Sequence, residues 1–185
     1  MKKYKIKELM VPLSNYAVIP EDATIFEAVI ALEKTQLTFN QNNYLNRAIL
    51  IEDSDKNIVG KLSQLDILRA LEPKYAEIKS EMPGMAKYGF SKQFLLSILE
   101  NYKMFEKPLD DICKKASMRK ASQYMHCPTE GEHINADDSL DQAIHMLIVE
   151  NHQSLLVTQD KKIIGILRLT DVFAYISQQM KECNF

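Results

Sequence analysis

Glycine is scarce in this chain, with five in 185 residues. None falls in a GxGxxG or GxxxxGK run, so the backbone cradle that such loops offer a phosphate is absent. Cysteine is scarcer still: Cys113, Cys127 and Cys183 are odd in number and lack CxxC spacing, which argues against a disulfide framework or a zinc site and predicts reduced thiols in a cytosol. The histidines, His126, His133, His145 and His152, include no i, i+4 pair, so no metal is expected. Charge of one sign is missing too. Twenty-three Lys and Arg face twenty-five Asp and Glu, and a formal net charge of −2 gives no reason to expect nucleic acid or an anionic membrane as the main partner. No apolar run approaches a membrane span. The basic opening Met1-Lys2-Lys3-Tyr4-Lys5 is followed by charged Lys7 and Glu8, so no signal peptide is expected and the expected location is cytoplasmic. His126-Cys127 is the nearest approach to a nucleophile beside its base. Sequence neighbours project in different directions, however, and no third group is placed to orient the base, so no enzyme is expected.

What the chain does have is repetition. Arg47-Ala48-Ile49-Leu50-Ile51, a polar turn, and Ile58-Val59-Gly60-Lys61-Leu62-Ser63-Gln64-Leu65-Asp66 are answered by Gln153-Ser154-Leu155-Leu156-Val157, a turn, and Ile163-Ile164-Gly165-Ile166-Leu167-Arg168-Leu169-Thr170-Asp171. Gly60 and Gly165 are 105 residues apart, as are Asp66 and Asp171. Upstream, Thr24-Ile25-Phe26-Glu27-Ala28 matches Ser139-Leu140-Asp141-Gln142-Ala143 at an offset of 115, shared by Met10 and Met125. A duplicated unit explains both offsets, and their difference places about ten extra residues in the first copy, in the Asn- and Gln-rich stretch Gln36 to Asn46.

Each copy predicts the same order of elements. Asp22-Ala23-Thr24 and Asp138-Ser139 supply capping oxygens ahead of apolar stripes at helical spacing: Ile25, Ala28, Val29, Leu32, then Leu140, Ala143, Ile144, Leu147. Helices are therefore expected over about Thr24 to Thr35 and Ser139 to Glu150. Short apolar runs at Ala48–Ile51 and Ile58–Leu62, and at Leu155–Val157 and Ile163–Leu167, predict two hairpins. A short first strand is expected at Ala17–Ile19 and at His133–Ile134, and a last helix from Ser63 to Leu71 and from Leu169 to Met180. With 46% apolar residues the chain can bury a core, but a three-stranded unit of this size is marginal alone, so the copies should pack together.

The order of elements, the openings Leu9-Met10-Val11-Pro12 and Tyr124-Met125, and the Gly-x-x-Ser/Thr-x-x-Asp ending resemble tandem cystathionine-β-synthase (CBS) domains, the pair known as a Bateman module. The resemblance spans about Ile6 to Leu71 and Ala121 to Ser177. It implies an α+β fold of two β-α-β-β-α repeats packed by pseudo-twofold symmetry, and divides the chain into repeat 1 (residues 1–71), a helical insert (72–120) and repeat 2 (121–185). It also implies clefts that commonly hold AMP, ADP, ATP or S-adenosylmethionine, and pairing into a homodimer.

A carboxylate at a helix start can accept from both hydroxyls of a ribose, and free N–H groups there favour phosphate. The resemblance gives the ribose role to Asp66 and Asp171, whose alternative is a plain helix cap. It gives a phosphate-contacting role to Ser63 in the first copy. In the second copy Arg168 stands at that position, with Thr170 close by, and departs from the pattern. Arg168 can reach a phosphate, fill the cleft, or turn to an acidic neighbour. Arg47 and His152, ahead of the second strands, are further phosphate candidates or simply a solvated strand end. Val18, Ile19 and Ile134 would form an adenine wall, or be ordinary core.

Between the copies, helices are expected near Pro73–Glu81, Ser91–Tyr102 and Leu109–Lys115. Phe90, Phe94, Leu95, Ile98 and Phe105, with Met82, Met85 and Met104, are expected to cover the module's own helices, or else to form a partner or dimer surface. The function implied is a stand-alone regulatory module that senses an adenosyl ligand and acts on its own dimer or on a protein target. The alternative is a ligand-free adaptor whose helical insert is the working surface.

Overall fold

The computed structural model describes residues 4–38, 46–81 and 89–182. Expectations for Met1 to Lys3, for the stretch 39–45, for Met82, Pro83, Gly84 and Met85, and for Cys183 lie outside these residues. The chain runs β1 (Val11–Pro12), β2 (Val18–Pro20), α1 (Ile25–Thr38), β3 (Ala48–Glu52), β4 (Ile58–Ser63), α2 (Gln64–Arg69), then α3 (Lys74–Glu81), α4 (Lys92–Asn101) and α5 (Leu109–Ser117). The second copy follows as β5 (His133–Asn135), α6 (Leu140–Val149), β6 (Ser154–Gln159), β7 (Lys162–Arg168) and α7 (Leu169–Glu182). Reciprocal capping pairs start the first helix of each copy. Glu27 N–H donates to Thr24 Oγ1 at 3.2 Å while the Thr24 N–H donates to Glu27 Oε2 at 2.7 Å, and Ser139 and Gln142 repeat the arrangement. α1 has 14 residues against 10 in α6, so part of the extra length of the first copy is helix.

The strands form two sheets with continuous apolar runs at their centres, because both faces of each sheet are covered. In β3, Ile49 and Ile51 face α1 and Leu50 faces the other sheet; in β6, Leu155 and Val157 face α6 and Leu156 faces back. Leu50, Leu156, Val11, Tyr16 and Ile166 make the core between the sheets.

One expectation of the topology is corrected. The first sheet has three strands, β2-β3-β4, but the second has four, β1-β7-β6-β5. The added strand comes from the first copy: Val11 pairs with Ile166 and Pro12 with Gly165, antiparallel. Proline has no N–H to donate, which suits an edge. The exchange is mutual, since Lys61 and His126 bond through both backbone groups at 2.9 and 2.8 Å. Each arm lays its methionine on the other copy's glycine. A Cβ on Gly60 would fall on Met125 Sδ, and one on Gly165 would lie 2.6 Å from the Val11 carbonyl and 2.9 Å from Met10 Sδ. That close approach is why glycine and methionine recur at separate but constant offsets.

The insert docks on repeat 1. α5 lies against α1, buries Ile112 and Ala116, and the chain beyond it is tied down by Ile25 N–H to the Arg119 carbonyl and Ala121 N–H to the Ala23 carbonyl, both 2.8 Å. α4 behaves differently from expectation. It buries no residue, and Leu95, Leu96 and Leu99 are exposed, as is Phe105 beyond it, whereas Met104 between them is buried.

Candidate functional site

The two hairpins bring the start of β3 and end of β4 opposite the start of β6 and end of β7. Between them lies a cleft of about 710 Å³, within the range that holds a small organic ligand. Arg47, Lys61, Ser63, Gln64 and Leu65 line it from the first copy, with Tyr16 and Gln36, and Gln153, Ser154, Arg168, Leu169 and Thr170 line it from the second. Its lining contains three cations and no carboxylate.

On the first-copy wall, β4 ends in Ser63, which caps α2. Asp66 Oδ2 accepts from the Ser63 N–H at 2.9 Å and the Ser63 hydroxyl at 2.5 Å, and the Asp66 N–H donates back to Ser63 Oγ at 3.3 Å. Asp66 Oδ1 accepts from Arg69 Nη1 at 2.7 Å. Asp66 therefore closes a capping box just behind the wall, and it is Ser63 that faces the cleft.

On the second-copy wall, Arg168 has turned to an acidic neighbour. Its Nε and Nη2 donate to Asp171 Oδ2 and Oδ1, both at 2.6 Å, and its Nη1 donates to Asn46 Oδ1 at 2.7 Å. Burial opposes the Arg168 charge, but the Asp171 carboxylate outweighs it and raises the pKa. Asn46, 1% exposed, thus links the entrance of β3 to the second copy. Beside this group burial pushes the Tyr16 hydroxyl up to about 12, with Arg168 pulling down and Asp171 pushing up.

A second buried charge sits between the copies, behind Lys61 of the cleft lining. Glu132, 3% exposed, accepts from Lys61 Nζ at 3.4 Å, meets His126 Nε2, and takes the Thr129 N–H at 3.2 Å. Burial pushes this carboxyl up, yet those partners outweigh it and hold it below the usual range. Lys61 Nζ also donates to Ser154 Oγ at 3.2 Å, closing the bridge between copies.

Of the residues expected from the sequence, Ser63, Arg168, Thr170 and Arg47 line the cleft, and Asp66 and Asp171 stand behind it. Ile19 and Ile134 are corrected: alternation along β2 and β5 turns them into the cores between each sheet and its own helices, so they form no wall of this cleft. Val18 packs on the core between the sheets and does not line the cleft. His152 is also outside the lining, its Nε2 buried without a hydrogen-bond partner among the described residues. Sequence reasoning missed Tyr16, Lys61, Asn46, Glu132 and Ser154. For Glu132 a signal existed, the capping-box spacing Thr129-x-x-Glu132.

No helix among the described residues is long and apolar enough to cross a membrane. Solved structures share this fold at low identity. A hypothetical conserved protein from Geobacillus kaustophilus is 16% identical with a TM-score of 0.60, covering 96% of this chain and 98% of that one. A CBS domain-containing protein of unknown function from Bacillus anthracis is 16% identical with a TM-score of 0.62, covering 95% and 94%. CBSX2, solved in complex with AMP, is 18% identical with a TM-score of 0.57, covering 96% and 98%. No curated protein matches. The family model for the CBS domain matches twice, at residues 6–73 and 121–178, which are the two copies of the repeat and more than half of the chain. With two such repeats, each reaching the edge of the other's sheet, the chain belongs to the CBS domain family as a tandem pair.

Proposed function

We propose that the protein is a regulatory module that binds one adenine nucleotide, AMP, ADP or ATP, in the cleft between its repeats. The observation that carries this reading is the cleft itself, lined from both copies with Arg47, which is in no ion pair among the described residues, and with Lys61 and Arg168, whose carboxylate partners Glu132 and Asp171 lie behind the wall. CBSX2, which shares the fold, is known with AMP bound. Ser63 and Arg47 would take the phosphates, with Thr170 and His152 nearby, and Asp66 would take the ribose after exchanging Arg69 for its hydroxyls. Asp171 holds the equivalent place in the second copy, where Arg168 already occupies both carboxylate oxygens. S-adenosylmethionine is the weaker candidate, because its sulfonium would face cations. Occupancy would act by favouring one mutual arrangement of the repeats, and only by the difference in affinity between arrangements.

The reading includes a cytoplasmic homodimer with a regulatory rather than catalytic role. Leu65, Leu68, Phe173 and Met180 on α2 and α7 are each more than half exposed, an apolar face that a second copy would cover. Light scattering should report a dimer at micromolar protein. A thermal-shift series with AMP, ADP, ATP and S-adenosylmethionine tests the ligand. At a hundred times its dissociation constant the right one adds about 2.7 kcal/mol. A flat series at millimolar ligand would favour the adaptor reading, whose specific support is α4, with its exposed leucines.

A further inference from the structure

A second cavity, of about 190 Å³, lies where repeat 1 meets the insert, away from the cleft between the repeats. Its walls are the turn from Leu71 to Lys74, the segment from Lys103 to Lys107, and Ile112, Lys115 and Arg119 around α5. The segment is shaped by its backbone: Lys103 and Phe105 hold positive φ angles of 48° and 56°, either side of buried Met104. Lys74, Lys103, Lys107, Lys115 and Arg119 face this space, against two acids, Glu72 and Glu106. Glu72 is engaged with backbone, accepting from the Lys74 and Phe105 N–H groups at 3.3 and 3.2 Å. Lys74 is engaged as well, its Nζ donating to the Tyr102 and Lys103 carbonyls at 2.7 and 2.9 Å. Arg119 is anchored through Nη1 on the Ala70 carbonyl at 2.7 Å and on the Tyr124 hydroxyl at 3.1 Å.

That leaves Lys103 with Lys107 and Lys115, none of the three in an ion pair among the described residues, and the last two are neighbours. Their ammonium groups stand close enough that Lys107 lowers the pKa of Lys115; Arg119 adds to the effect and Asp111 opposes it. Two ammoniums and a guanidinium held together repel one another, offset only in part by Glu106 and Asp111 since Glu72 is turned to backbone N–H groups, and an oxyanion between them turns that repulsion into charge-assisted hydrogen bonds. The size sets the ligand class, since about 300 Å³ is the lower end for pockets that enclose a drug-sized molecule. We propose that this cavity is a separate site for a small oxyanion of the phosphate class, held by Lys107, Lys115 and Arg119. Because its walls join the end of repeat 1 to α5, an anion there ties the insert to the repeat.

The probe is inorganic phosphate, titrated into the full chain at constant ionic strength and followed by amide chemical shifts. Saturable shifts at residues 103–119 at millimolar phosphate are expected. A Lys107→Ala, Lys115→Ala double variant should weaken them by about tenfold or more, in keeping with the loss of charged hydrogen bonds. Both lysines are exposed, so the variant should keep its fold, which circular dichroism checks. Arg47→Ala, in the other cleft, should leave the shifts unchanged. The proposal is overturned if these residues do not respond to phosphate, if the double variant responds as the parent does, or if the response disappears with Arg47→Ala instead.

Discussion

Ser63-Gln64-Leu65-Asp66 and Arg168-Leu169-Thr170-Asp171 occupy the same place in their repeats, yet their aspartates are held by very different partners. Asp66 is paired with Arg69, whose side chain is 49% exposed, and exposed ion pairs of this kind contribute about 0–1 kcal/mol. Asp171 is gripped at both oxygens by Arg168, whose side chain is 7% exposed and pinned a third time by Asn46. Displacing the first partner would cost little, whereas displacing the second would strand a buried guanidinium. The same contrast appears where the arms cross. Lys61 pairs with His126 beside Glu132, and at the equivalent position Ile166 pairs with Val11, where the repeat offset puts Ala17 in place of Glu132. Duplication conserved the backbone and let the two halves of the cleft diverge, one with its aspartate paired to a half-exposed arginine, the other with its aspartate held by a buried one.

The largest expected effect lies in the closed half. Arg168→Ala leaves Asp171 and Asn46 without their partner and should cost about 3–5 kcal/mol in urea unfolding, where Arg69→Ala costs about 1 kcal/mol or less. Equal costs would erase the distinction between the halves. The crossing arms give the next contrast. Gly165→Ala drives a Cβ against the Val11 backbone carbonyl, which cannot give way without moving β1, and should cost about 2–3 kcal/mol. Gly60→Ala meets Met125 from Sδ back to Cβ but no backbone atom, so a smaller cost of about 1–2 kcal/mol is expected by the same measurement.

Glu132 gives a smaller, pH-dependent difference. Its carboxyl is held below the usual range in the folded chain, so its contribution is fully present above the unfolded value near 4.3 and lost as pH falls through the folded value. Glu132→Gln should therefore be less stable than the parent by about 1–3 kcal/mol at neutral pH, converging with it below about pH 4. A gap that stays constant with pH would remove the buried charge from this account.

The elements of both repeats and the three inserted helices were legible because each carries periodicity or a cap, as in Ser63 and Asp66 or the stripe from Ile25 to Leu32. β1 was not, for a two-residue strand has no period and its partner β7 lies more than 150 residues away. Its trace was the shared offset of Met10 and Met125, whose meaning needs the glycines they cover. In the site, residues on a recurring motif could be picked out, including Arg168 as a departure. Lys61, Tyr16 and Glu132 act through contacts between copies, and no local pattern announces those. Ile19 and Ile134 show the opposite limit, because hydrophobicity alone does not tell which face of a sheet a side chain takes.

Calorimetric titration with AMP of the parent, Asp66→Ala and Asp171→Asn measures the asymmetry of the two halves directly. One molecule per chain is expected, with affinity lowered about ten- to hundredfold by Asp66→Ala, the loss of a charged acceptor worth about 1.5–3 kcal/mol, and little changed by Asp171→Asn. Two equivalent sites, equal losses in both variants, or no loss in either would contradict the account.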